Sequence, residues 1–157
     1  MYPQPEPISR WVSARNGAAL WLNATAVAVD GQGVLILGAS GTGKSCLAIA
    51  MMALGAVLIC DDGVWLQCGT TPAILERPTQ ARDLIEARGI GLLRSGPSLA
   101  RAPLALAVDL DRAETTRLPQ RHTIALGDST VPLIHAAGDH HIAPALVLMM
   151  RHGRAEP

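Results

Sequence analysis

Apolar runs of four to seven residues, separated by short stretches rich in glycine, aspartate and proline, dominate this chain. Ala19-Leu20-Trp21-Leu22 and Ala24 to Val29 predict a first strand or a strand pair. Asp30-Gly31-Gln32-Gly33 supplies a turn before Val34-Leu35-Ile36-Leu37, and two apolar runs joined through Asp-Gly fit a hairpin better than a crossover. Leu47, Ala48, Met51 and Leu54 recur at helical spacing, which predicts a helix over about Lys44 to Leu54, stopped by Gly55. Ala56 to Cys60 is continuously apolar, the pattern of a parallel strand covered on both faces, and Val64-Trp65-Leu66 reads as the next strand. Gly69 to Pro78 reads as loop, Leu104 to Leu110 as a core strand and His122 to Leu126 as a weaker one. Ala143 to Arg151 predicts a closing helix, with Pro144 tolerated near its start. Residues 1–9 are Pro-rich and are expected to form a flexible tail; residues 10–157 are expected to form a single α/β domain.

Composition narrows this picture. With 157 residues, 49% of them hydrophobic, the chain can bury one core, and with no Phe that core must be built from Leu, Val, Ile, Ala and Met. Thirteen basic and thirteen acidic residues leave no net field to steer nucleic acid or an anionic membrane surface, so neither is expected as a partner. No apolar run approaches the length of a membrane span, and Met1 to Pro7 lacks the basic and apolar regions of a signal peptide. Cys46, Cys60 and Cys68 have no C-x-x-C spacing and are expected to be buried thiols in a reducing, cytoplasmic compartment.

The densest chemistry lies just after Leu37. Gly38-Ala39-Ser40-Gly41-Thr42-Gly43-Lys44-Ser45 satisfies G-x-x-x-x-G-K-[ST] between an expected strand and an expected helix. Glycines there let successive N–H groups turn inward, and the following helix adds its own free N–H groups and dipole, a nest suited to an anion. Lys44 would reach the β/γ-phosphates of a nucleotide, and the Ser45 hydroxyl would coordinate the accompanying Mg²⁺. The fold class expected is therefore α/β with a P-loop nucleotide-binding core.

Asp61-Asp62 closes the strand that follows the P-loop helix, and in open α/β sheets ligands lie beyond the carboxyl ends of strands. One carboxylate could hold Mg²⁺ and the other could take the proton of an attacking hydroxyl, although D-D-G also suits a plain turn. Ile85-Glu86-Ala87-Arg88-Gly89-Ile90-Gly91 would put Glu86 and Arg88 on one face if extended, either toward a ligand or as a solvent-facing ion pair. Arg117-Leu118-Pro119 could bring a second guanidinium to phosphate or form a surface loop. Asp139-His140-His141, near His135, has no converging third ligand and reads as surface or helix start rather than as a metal cluster.

Taken in order, these segments resemble the HPr kinase/phosphorylase family, in the short form that consists of the C-terminal catalytic domain. Gly38 to Ser45, Gly55 to Asp62 (the family's G-x-x-L-V-x-D-D), Ile85 to Gly91 (its E-x-R-G-x-G) and Arg117-Leu118-Pro119 carry the resemblance, which runs from about Trp21 to Leu133. It implies a fold like the nucleotide-binding core of phosphoenolpyruvate carboxykinases and assembly into homo-oligomers, commonly hexamers. It also implies ATP- or pyrophosphate-dependent phosphorylation of a serine on the phosphocarrier protein HPr, reversible by phosphorolysis. By the same resemblance Asp61 is the general base or acid, Asp62 and Glu86 join Ser45 around the metal, and Arg88 and Arg117 stabilise the transferring phosphate. Two positions depart from the family. Asn23 stands where its members usually carry a histidine, and Gln120 where short members carry an acid. They motivate an alternative, a catalytically impaired nucleotide-binding regulator that contacts a phosphocarrier or a sensor kinase.

Overall fold

The computed structural model describes residues 2–156. The elements run β1 (Glu6–Pro7), a 3₁₀ turn (Ile8–Trp11), β2 (Val12–Asn16), β3 (Ala19–Leu22), β4 (Thr25–Val29), β5 (Gln32–Leu37) and α1 (Lys44–Met52). They continue with β6 (Val57–Cys60), β7 (Val64–Gln67), β8 (Ile74–Glu76), β9 (Leu84–Ala87), β10 (Gly91–Arg94), β11 (Arg101–Asp109), β12 (His122–Leu126), β13 (Ser129–His135) and α2 (Ile142–His152).

The nine-residue β11 organises the molecule because it changes partners along its length. Arg101–Pro103 pair antiparallel with β8, which continues through β7 and β3 to β2. From Leu104 on, β11 pairs in parallel with β5 on one side; toward its end it pairs in parallel with β13 on the other. Beyond β5 lie β4 and β6, and beyond β13 lie β12 and β1. The result is an inner sheet and an outer sheet that share one strand. At the changeover Gly33, opposite Leu104, leaves room for the outer sheet: a Cβ there would stand 2.7 Å from Leu75 Cδ1 and 2.9 Å from the Pro103 carbonyl oxygen.

Two apolar layers follow from this arrangement. The first fills the space between the sheets, with Leu22, Leu66 and Leu75 of the outer sheet meeting Ala26, Leu35, Leu37, Ala107 and Leu133 of the inner one. The second lies on the opposite face of the inner sheet, where Val27, Val34, Ile36, Leu106 and Val108 meet Leu47, Ala48 and Met51 of α1 and Ala143, Leu146 and Val147 of α2. Alternate residues of β5 thus serve different cores, which is why Val34 to Leu37 are all apolar and all buried. Burial of each such Leu, Ile or Val side chain is worth about 1.5–3 kcal/mol.

The β4–β5 hairpin, β7, the core strand β11, the strand β12 and both helices match the expectations from the pattern. Four expectations are corrected. The run ending at Cys60 pairs with β4 and is antiparallel to it; it is apolar on both faces because the inner sheet is covered on both, which burial alone makes possible in either direction. Within Gly69 to Pro78, expected as loop, Ile74–Glu76 bridges β7 and β11 as β8. From Glu6 on, the expected flexible tail is regular structure: Glu6 and Pro7 pair with Ile124 and Ala125, and Glu6 forms an ion pair with Arg112. Among the thiols only Cys60 is buried; Cys68 is half-buried and Cys46 is exposed, since the first turn of α1 faces the crevice described next. Among the described residues no helix is long and apolar enough to cross a membrane.

Candidate functional site

β5 and β11 run in parallel with Leu37 beside Asp109, so the loops that follow them emerge at one edge of the inner sheet. A cavity of about 770 Å³ opens there. It is lined by Gly38–Gly41 and Gly43–Cys46 of the glycine-rich loop and α1, by Asp61 and Asp62 after β6, by Glu86 and Arg88 from the β9–β10 hairpin, and by Asp111. Residues as far apart in sequence as Lys44, Asp61 and Arg88 therefore meet in one crevice. Arg117 and Gln120 do not reach it; both are exposed on the segment between β11 and β12.

The loop is built as its sequence requires. Gly38 has φ 152° and packs so closely that a Cβ would meet the Thr42 hydroxyl and Leu110, while Gly43 enters α1 in the left-handed region at φ 98°. Thr42 Oγ1 donates to the Ala39 carbonyl at 2.7 Å, and the Ala39 N–H donates to Asp111 Oδ1 at 2.9 Å. Asp111 is thus a fixed strut for the loop. Lys44 Nζ donates to the carbonyls of Gly38 at 2.8 Å and Ala39 at 3.1 Å, lying across the loop it belongs to.

The carboxylates are arranged unequally. Asp61 Oδ1 accepts from both the Ser45 hydroxyl and the Thr25 hydroxyl at 2.8 Å, and Asp61 Oδ2 lies 3.1 Å from Ser45 Oγ. Thr25 is fully buried, so Asp61 is anchored from the core side and aimed at the start of α1. Asp62 is exposed and sits at φ 59°, the left-handed conformation that Asp tolerates in a tight turn. D-D-G is consequently both a turn into β7 and a pair of acids on the crevice wall. Ser45, Asp61, Asp62 and Glu86 together present hard oxygen donors around one cavity, a donor set that fits Mg²⁺. Lys44, Arg88 and Arg10 set positive charge against them.

Glu86 lies on β9 opposite Leu92, and Arg88 follows in the turn to β10; both are exposed on the rim. The base of this hairpin is tied by Asp83, which accepts from the Ser98 hydroxyl at 2.7 Å and from Arg77 at 3.0 Å. The Ser98 hydrogen bond and the Arg77 guanidinium hold the Asp83 carboxyl below its ordinary value of 3.8. Asn23 also lines the crevice, with Nδ2 donating to Ser13 Oγ at 2.8 Å and Oδ1 accepting from the Trp21 indole at 3.3 Å.

Sequence reasoning missed Thr25, Arg10, Trp11, Ser13 and Asp111. Asp111 alone carried a usable signal, an acid just past the carboxyl end of a core strand, the same signal that exposed Asp61-Asp62. The histidine doublet lies at the exposed start of α2, where the His141 N–H donates to Asp139, whereas His135 packs against His122 elsewhere.

A family model described as HPr serine kinase C-terminal domain matches residues 18–97. The chain belongs to this family. Relatives named HPr kinase/phosphorylase include one from an Exiguobacterium strain, 32% identical over 120 residues that make up 69% of this chain and 39% of the relative. Another, from Caldicellulosiruptor bescii, is 44% identical over 70 residues, 44% of this chain and 22% of the relative. Among solved structures, that of the Hpr(Ser) kinase/phosphatase from Coxiella burnetii superposes with a TM-score of 0.69 at 25% identity, covering 83% of this chain and 88% of that one. The α/β architecture described above is thus that of an HPr kinase C-terminal domain. The chain's match spans less than two-fifths of the length of these curated relatives.

Proposed function

We propose that the crevice of this HPr kinase domain transfers a phosphoryl group between ATP or pyrophosphate and a serine hydroxyl of an HPr-type phosphocarrier protein. One observation carries this reading: the loop Gly38–Ser45, Asp61-Asp62 and the Glu86/Arg88 hairpin, three separate stretches of sequence, line a single cavity. The rim formed by Asp62, Glu86 and Arg88 is exposed, so a hydroxyl on a protein loop can approach it.

In this reading the N–H groups of the loop and the first turn of α1 bind the donor's phosphates, and Lys44 exchanges its two carbonyl contacts for phosphate oxygens. Mg²⁺, when bound, neutralises charge on the donor's phosphates; Ser45, Asp62 and Glu86 are the residues to hold it, joined by Asp61 through its contact with Ser45. Asp61, fixed by Thr25 and Ser45, retains lone pairs on Oδ2 to accept the serine proton as the ester P–O bond forms and the donor's terminal P–O bond breaks, releasing ADP or, from pyrophosphate, phosphate. Arg88 balances charge at the transferring group. Arg117, outside this cavity, is given no role in phosphate binding within its own chain. The test is incubation of the purified chain with labelled ATP and HPr, with and without inorganic phosphate. Transfer to serine supports the reading, and binding without transfer from either ATP or labelled pyrophosphate sinks it.

A second reading is favoured by Asn23. Where the family usually has a histidine, this side chain is tied to Ser13 and Trp21 and has no titratable proton near neutral pH. A nucleotide-binding regulator that contacts a phosphocarrier or a sensor kinase would bind ATP or pyrophosphate at Gly38–Ser45 with no turnover in either direction.

A further inference from the structure

We propose that Glu114, His122 and His135 form a binding site for a divalent transition-metal ion of the zinc class, distinct from the crevice. The three come from different parts of the fold: Glu114 from the segment after β11, His122 from the start of β12 and His135 from the end of β13. In the antiparallel register His122 stands opposite Leu133, so His135, two residues on, projects from the same face as its diagonal neighbour. The two imidazoles lie 4.4 Å apart between ring centroids. One ligand atom from each of the three residues falls within 4.8 Å of the other two.

The cluster has the features of a prepared site. Glu114 Oε1 accepts the N–H groups of Thr115 at 2.9 Å and Thr116 at 2.8 Å, which fixes the carboxylate and leaves Oε2 directed at His122 Nε2, 3.0 Å away. His135 Nε2 is shut off from solvent and has no hydrogen-bond partner, an orphan that a protein interior seldom leaves unless it serves something. Nearby positive charge is already engaged: Arg112 pairs with Glu6, and Arg10 lies 3.8 Å from the buried Asp109, the register partner of His135. Zinc-bound ligand atoms stand about 3.4 Å apart in a tetrahedron of bonds near 2.1 Å. The Glu114–His122 pair is already that close, and drawing in the third ligand needs a shift of at most about 1.4 Å. Two imidazoles and one carboxylate suit zinc rather than the hard-oxygen chemistry of Mg²⁺, and three protein ligands leave a fourth position open.

The test is titration of the full, chelator-stripped chain with Zn²⁺ in saturating Mg²⁺, followed by calorimetry, with Co²⁺ in a parallel titration followed by its visible absorption. One saturable Zn²⁺ site per chain is expected, with a tetrahedral Co²⁺ spectrum. His122→Ala and His135→Ala should abolish both, and Glu114→Gln should weaken Zn²⁺ by at least the roughly 10–100-fold that loss of a mere supporting residue costs. Because the histidines pack within the sheet, folding of their variants is checked by circular dichroism; Glu114→Gln, on an irregular segment, decides the matter if they unfold. Absence of saturable binding, or undiminished affinity in Glu114→Gln, overturns the proposal and leaves a plain His–Glu pair. So does binding that is lost in Asp61→Asn but kept in Glu114→Gln, since the ion would then sit in the crevice.

Discussion

The crevice and the histidine cluster lie at the same edge of the inner sheet, one strand apart, yet they are constructed in opposite ways. The crevice takes its anion-facing wall from the consecutive residues Gly38–Ser45 and two of its acids from the adjacent Asp61 and Asp62, and its rim charges Asp62, Glu86 and Arg88 face solvent. The cluster takes one side chain from each of three segments and closes them over a buried ring nitrogen. Local backbone geometry makes the first, because a loop that points N–H groups inward must be contiguous. Strand register brings His122 beside His135 in the second, and a turn after β11 adds Glu114. The contiguous loop of the crevice tolerates changes elsewhere in the fold, whereas the histidine pair of the cluster fails if β12 slips against β13.

The sharpest test of the crevice is Asp61→Asn. Loss of a positioned proton acceptor costs about 10²–10⁴-fold in rate, so transfer from labelled ATP to HPr should fall by that factor while calorimetric ATP affinity stays largely intact. Equal loss of both would reassign Asp61 to binding, through its contact with Ser45. Next is Lys44→Ala, which removes a charged donor and should weaken ATP by about 10–150-fold; unchanged calorimetric affinity would break the phosphate-loop reading.

Thiol chemistry sharpens the contrast between exposed wall and buried core. Cys46 lines the crevice, whereas burial pushes the Cys60 thiol up to about 11. Mass spectrometry after alkylation near pH 8 should find Cys46 modified and Cys60 untouched, with ATP slowing the reaction at Cys46 several-fold. Arg117→Ala should leave ATP affinity within about twofold, as an exposed residue outside the cavity would; a tenfold loss would mean that its loop reaches a crevice in the assembled protein.

The smallest effect concerns the hairpin that carries Glu86 and Arg88. Asp83 has a folded-state pKa below 3.8, so its contribution is present above 3.8 and is lost as pH falls through the lower folded value. The thermal midpoint of the wild type should drop below pH 3.8 slightly more steeply than that of Asp83→Asn; parallel curves would show that the tie to Arg77 and Ser98 carries no pH-dependent stability.

How much could be read from the chain alone follows from the same contrast. The loop 38–45, the Asp61-Asp62 pair, the β4–β5 hairpin and α2 each announce themselves within a dozen residues through turn chemistry or periodicity. β8 has three residues and β1 two, too short to show any period, and Pro132 inside β13 disguises a strand that pairs on both sides of it. The direction of β6 was hidden because an apolar run reports two covered faces and nothing about its neighbour. Thr25 contacts Asp61 across 36 residues of sequence, a distance over which no local pattern speaks, whereas Asp111, 72 residues from Ala39, shows only in its place past the end of a core strand. Arg117 illustrates the converse, a residue type suited to phosphate on a segment outside the cavity of its own chain.

The segment matched by the family model stops at residue 97, four positions short of β11. Since that one strand is stitched into both sheets, a fragment cut at the end of the match would hold Gly38–Ser45, Asp61, Asp62, Glu86 and Arg88 and still lack both the seam that joins them and Asp111, the strut of the loop. Anyone seeking a minimal version of this protein must therefore keep the stretch after residue 97, whose first contribution is architectural cohesion.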